Sequence, residues 1–150
     1  MKTVKILFSI LTVGILVAGL YLGFTLLRQN AQLSSGEQFS LAVTEVILSN
    51  PDVDYFTSIS ATQALNNLDA RGIEIKLNNL RRMGNLQSMG KARGELVNAS
   101  WLPADEPLVA RYYIDAEFSS GPAQIYLELM EEGGAWKLMN LYVESPLLAQ

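Results

Sequence analysis

Neither cysteine nor histidine occurs among the 150 residues of this chain, and the two absences together remove much of the chemistry a small domain can perform. Without cysteine there is no disulfide framework, no thiolate metal site and no thiol nucleophile. Without histidine the commonest general base and the commonest zinc ligand are missing, and no serine–histidine charge system can form. No cofactor motif or metal-ligand spacing takes their place, so neither a cofactor nor a metal is expected. Charge is absent from a third place, the run from Ile6 to Leu27. Bases are absent from residues 29 to 70, where Glu37, Glu45, Asp52, Asp54 and Asp69 stand alone. The net charge is −4, and this acidic balance after Arg28 excludes nucleic acid as the expected partner.

The uncharged run is long enough to be a membrane anchor. Its 22 residues would span about 33 Å as a helix, against a hydrocarbon core of about 30 Å. Membrane lipid around residues 6–27 is therefore the first expected partner. A cleaved signal peptide is the rival, with Lys2 and Lys5 as its basic start and Val17-Ala18-Gly19 as small residues at a cleavage spacing. The run continues through Leu20 to Leu27, past the length of an ordinary signal core, so retention is expected. Two lysines precede the span and only Arg28 closely follows it. That asymmetry predicts a single-pass protein with a cytoplasmic amino terminus and a body across the membrane, which in a bacterium is the periplasmic side of the inner membrane. Gly19 and Gly23 form a GxxxG pair, the spacing that lets two helices approach closely.

After the span, the sequence predicts an anchor over 1–28, a short linker over 29–36 and one domain over 37–150. Ser35 and Gln38 fit a capping box for a new helix. Phe39, Ala42, Val43, Val46 and Ile47 form its apolar stripe, with Leu41 and Leu48 opposite and Asn50-Pro51 as its stop. A second helix is expected over Asp52–Ser60, and a third carries Ile73, Leu77 and Leu80 and stops at Gly84. The second half changes period. A short strand is expected over Leu86–Gly94, and a turn over Ala104–Pro107. From Leu108 to Ser119, Ala110, Tyr112, Ile114, Ala116 and Phe118 alternate with Arg111, Tyr113, Asp115 and Glu117. Ser120-Gly121-Pro122 and Gly133-Gly134 then divide three strands into a meander. The fold class is α+β.

Helices followed by long strands, ending in Ile125 to Val143 with a strand, Gly133-Gly134 and the strand Trp136-Lys137-Leu138, resemble the NTF2-like (cystatin-like) superfamily. The resemblance covers Glu37 to Pro146 and implies a cone of helices packed on a curved antiparallel sheet. It also implies dimerisation through the open sheet face. The layout of one span followed by such a domain is similar to the inner-membrane scaffold proteins of type IV secretion systems.

Three functions compete. The leading one is a membrane-tethered interaction or scaffold module, a homodimer or a small subunit of a membrane complex. Its candidate contacts are Gly19 and Gly23, the basic group Arg71, Arg82, Lys91 and Arg93, and Tyr113, Tyr126 and Met130 on the outer strand face, with Tyr142 beside them. The second is a binder of small apolar molecules, with a pocket lined by Tyr112, Ile114 and Phe118. The third is an enzyme in which Asp115 or Glu117 works with a tyrosine. It is disfavoured because those carboxylates alternate with the apolar face and should meet water. Glu128, Glu131 and Glu132 lack the loop that a calcium site needs.

Overall fold

The uncharged run and the stretch after it form one unbroken helix. In the computed structural model, which describes residues 2–100, 106–146 and 148 with side chains from residue 13 onward, α1 runs from Lys2 to Ser49. The linker expected over 29–36 is helical throughout. Ser35 does not cap a new helix: its hydroxyl donates to the Gln32 carbonyl at 2.9 Å and accepts from Trp136 Nε1 at 2.9 Å. From Val13 to Leu27 the helix is almost wholly exposed, with Leu20 and Leu27 above 70%. It is long and apolar enough to cross a membrane.

The other half packs on the domain. Gly36, Ser40, Val43, Thr44, Ile47 and Leu48 are its buried residues, while Ala42 and Val46 are exposed. The apolar stripe expected on this helix is therefore rotated, and small residues occupy its inner seam. Ser40 buries its hydroxyl by donating to the Gly36 carbonyl at 2.7 Å.

Three shorter helices follow. Asp52 caps α2 (Val53–Ile59) by accepting from Tyr55 N, and Asp69 caps α4 (Ala70–Arg82) by accepting from Gly72 N. Between them α3 (Thr62–Asn67) carries no side-chain cap of its own. Its first residue is instead held by Glu132, which accepts from both the amide and the hydroxyl of Thr62. The stripe of Ile73, Leu77 and Leu80 is buried as expected, and Gly84 ends the segment at φ +77°.

Four strands, β1 (Leu86–Leu96), β2 (Val109–Phe118), β3 (Gly121–Glu132) and β4 (Ala135–Glu144), form one antiparallel sheet in the order β1-β2-β3-β4. Gly133 and Gly134 both take positive φ, as the two-residue turn between β3 and β4 requires. The expected alternation on β2 is observed, with Ala110, Tyr112, Ile114, Ala116 and Phe118 all buried. β1 extends two residues beyond the short strand expected and contains two irregularities, between Leu86 and Ser88 and between Met89 and Ala92, where an extra residue bends it. The turn expected over Ala104–Pro107 lies partly outside the described residues. Helices cover one face of this sheet; the amino-terminal half of α1 projects from it.

One side chain locks α1 to the sheet. Tyr112 is 1% exposed, and its hydroxyl donates to the Leu33 carbonyl at 2.7 Å. A Cβ at Gly36 would run into that hydroxyl, and one at Gly94, the β1 partner of Tyr112, would run into the ring. Burial, then the charge of Glu37, pushes the Tyr112 phenol up to about 12. The neutral phenol is thus favoured in the folded state; this contribution to stability is complete below pH 10 and is lost between pH 10 and 12. Tyr112→Phe is expected to cost about 1 kcal/mol in urea denaturation at pH 7, the net worth of one hydrogen bond, and to flatten the loss of stability in that alkaline window.

Candidate functional site: the open face of the sheet

The second face of the sheet carries a row of side chains running across all four strands. Register places Arg93 beside Tyr113, Tyr113 beside Tyr126, and Tyr126 beside Tyr142. The rings of Tyr113 and Tyr126 meet edge to face, 5.1 Å between centroids and 65° between planes. Tyr142 is 55% exposed at the end of the row. Together with Gln124, Asn140 and Glu144 the three tyrosines line a shallow groove of about 340 Å³. Burial pushes the Tyr126 phenol up, with Arg111 opposing the shift.

Charged residues flank the aromatic row on both sides. Arg93 Nη2 donates to Asp115 Oδ2 at 2.8 Å, and Gln124 Nε2 donates to Asp115 Oδ1 at 3.1 Å. On the other side Arg111 faces Glu128 at 3.5 Å, in a row completed by Glu95 and Asn140. The face therefore presents an aromatic band between paired charges of both signs.

Not every residue expected on this face is open to solvent. Met130 is 8% exposed and packs with Ala61 and Ala64, because the segment from Ser60 into α3 wraps the β4 side of the sheet. Nor do the basic residues form one patch. Arg71 and Arg82 are exposed at opposite ends of α4, whose apolar stripe packs in the core. Arg93 belongs to the outer sheet face and spends its charge on Asp115. Lys91 is exposed in the second irregular stretch of β1. Gly19 and Gly23 are open, with nothing within 4 Å of a Cβ built on either.

Tyr112, Ile114 and Phe118, the candidate pocket residues, are core residues at 1%, 0% and 2% exposure. The space between helices and sheet beside them is filled by Val43, Ile47, Leu77 and Met83. Asp115 and Glu117 are exposed, where a carboxylate is solvated rather than poised. Glu128, Glu131 and Glu132 serve three separate partners, Arg111, Gln32 and Thr62.

No known family, curated protein or solved structure matches the chain.

Sequence reasoning missed the pairing of Arg93 with Asp115, which depends on register between β1 and β2; the extra residues in β1 hide that register. A double-mutant cycle with Tyr113→Leu and Tyr126→Leu is expected to return a coupling of about 0.5–1.5 kcal/mol, the typical worth of an edge-to-face pair. Equilibrium urea denaturation of the four variants measures it.

Proposed function

We propose that the chain is a membrane-tethered, non-enzymatic interaction module that self-associates through the open face of its sheet. The observation that carries this reading is the row Tyr113, Tyr126 and Tyr142, on the sheet face opposite α1 and clear of the corner that α3 covers at Met130. Tyrosines give large contact area at low entropic cost and dominate the centres of protein interfaces. Paired charges of both signs on the two sides of the row suit a self-complementary, isologous contact, in which each copy presents the same patch. The resemblance to the NTF2-like superfamily supports the same face.

On this reading α1 is a retained anchor, with Lys2 and Lys5 in the cytoplasm and the domain on the far side. The direction of the contact then bears on the anchor. α1 packs on one face of the sheet and the tyrosines occupy the other. Two sheets meeting face to face stand about 10 Å apart, and each helix lies about 10 Å further out. The anchors of such a dimer are separated by about 30 Å, whereas packed helices need 8–10 Å. Gly19 and Gly23 are thus outside the dimer contact.

The test is the mass of the full chain in detergent, by size exclusion with light scattering. A dimer is expected for the wild type and for Gly23→Leu, and a folded monomer for Tyr126→Arg. A wild-type monomer at high concentration, or a dimer undone by Gly23→Leu and untouched by Tyr126→Arg, removes the sheet-face reading.

A further inference from the structure

The junction between α1 and the domain contains a crevice that the tyrosine face does not involve. It has a volume of about 600 Å³ and lies between α1 residues 21–32 on one side and the domain's lower rim on the other. The rim here is the segment after β1, the residues leading into β2, and the turn between β3 and β4. Thr25 and Gln29 are half-buried against the rim, Phe24 and Arg28 line the crevice while staying open to its mouth, and Leu27 is exposed on another side of the helix. The rim thus reaches α1 below Arg28, alongside the last residues of the apolar run.

This position has a meaning if α1 spans a bilayer, and the inference rests on that reading. Phe24 lies about 6 Å along the helix below Arg28, and Tyr21 about 10 Å. The headgroup layer on one side of a bilayer is about 5–7 Å thick. The crevice therefore begins in the headgroup layer and opens downward into hydrocarbon. Its chemistry is graded in the same sense. Tyr21 and Phe24 line its lower part, Arg28 its upper part, and Glu106 and Glu131 stand across from the helix. Glu131 is held toward α1 by Gln32, whose Nε2 donates to it at 3.4 Å.

We propose that this crevice binds one phospholipid with a primary-amine headgroup. Its phosphate sits at Arg28, its ammonium group is received by Glu106 and Glu131, and one acyl chain passes down along Phe24 and Tyr21. Among the described lining residues Arg28 is the only base, and two carboxylates, Glu106 and Glu131, line the crevice with it. A headgroup with net negative charge satisfies the arginine and is repelled by the acids. A zwitterion with its cation outermost satisfies both. A primary ammonium donates hydrogen bonds to carboxylates, which a quaternary one cannot do.

The experiment uses the full chain purified in mild detergent and supplied with equal amounts of phosphatidylethanolamine, phosphatidylcholine and phosphatidylglycerol, with retained lipid read by native mass spectrometry. Retention of one phosphatidylethanolamine, at least fivefold over the other two, is expected, together with loss of that preference in Arg28→Gln and in Glu106→Gln/Glu131→Gln. Equal retention of the three, preference for phosphatidylglycerol, or a preference unchanged in both variants overturns the proposal. Alkaline carbonate extraction of the membranes separates the two levels of failure. A chain released by carbonate sinks the anchor reading and the lipid site with it. A chain that stays in the membrane yet shows no preference sinks the lipid site alone.

Discussion

The arrangement depends on how closely α1 approaches β1 and β2, and that approach is governed by Tyr112. Its ring lies over Gly94 and its hydroxyl reaches the Leu33 carbonyl past Gly36. Glycine inside a helix costs about 1 kcal/mol relative to alanine. Here the cost is offset, because any side chain at Gly36 would push the helix off the tyrosine. The Leu33 carbonyl, about one turn before the first buried residue of the helix, is thereby tied to the middle of the sheet. Trp136 makes a second tie from β4 to Ser35. With two ring systems gripping one stretch of helix, residues 29–36 cannot act as a flexible tether.

That same stretch shows where sequence reasoning failed. Ser34-Ser35-Gly36 has the composition of a break, since serine favours caps and glycine favours turns. Gly36 is used for its missing Cβ, not for a positive φ, and only a partner more than seventy residues away explains it. β1 is a comparable case. Leu86, Met89 and Ala92 recur every third residue, which fits neither strand nor helix, because each irregularity adds a residue between inward-facing positions. Where the backbone is regular, the pattern was legible: the alternation on β2, the Ile73, Leu77 and Leu80 stripe, and the Gly133-Gly134 turn. On the candidate site, Tyr113 and Tyr126 follow from simple alternation. Met130 does not, since what covers it comes from α3.

The two edges of the sheet are treated differently. Along β4, Ser60 forms a bridge to Leu138, Ala61 N donates to the Leu138 carbonyl at 2.8 Å, and Lys76 Nζ donates to the Leu141 carbonyl at 3.2 Å. Burial in that position lowers the Lys76 ammonium's pKa. β1 is irregular and carries Lys91 and Arg93 with Gly90 and Gly94, features that discourage a further strand from adding on. With one edge occupied and the other blunted, the flat face is the surface left for a partner. For the proposed dimer that favours stacking over sheet extension.

Rigid mounting and a modest face complement each other on the proposed anchor. Three tyrosines between an exposed ion pair, Arg93–Asp115, and a longer, half-buried one, Arg111–Glu128, make a small hot region, and exposed pairs contribute little. A contact of that size would be weak between freely diffusing domains, because association must overcome lost translational and rotational freedom. In the proposed dimer, anchoring in one bilayer would remove part of that cost in advance. Both copies would be held at one height by the same helix length and kept from tumbling away from the membrane normal. Each would then meet the other at a raised effective concentration and with its face already perpendicular to the plane of diffusion. The unbroken helix at residues 29–36 is what the proposed arrangement depends on: a flexible linker there would return the orientational freedom that an anchor removes.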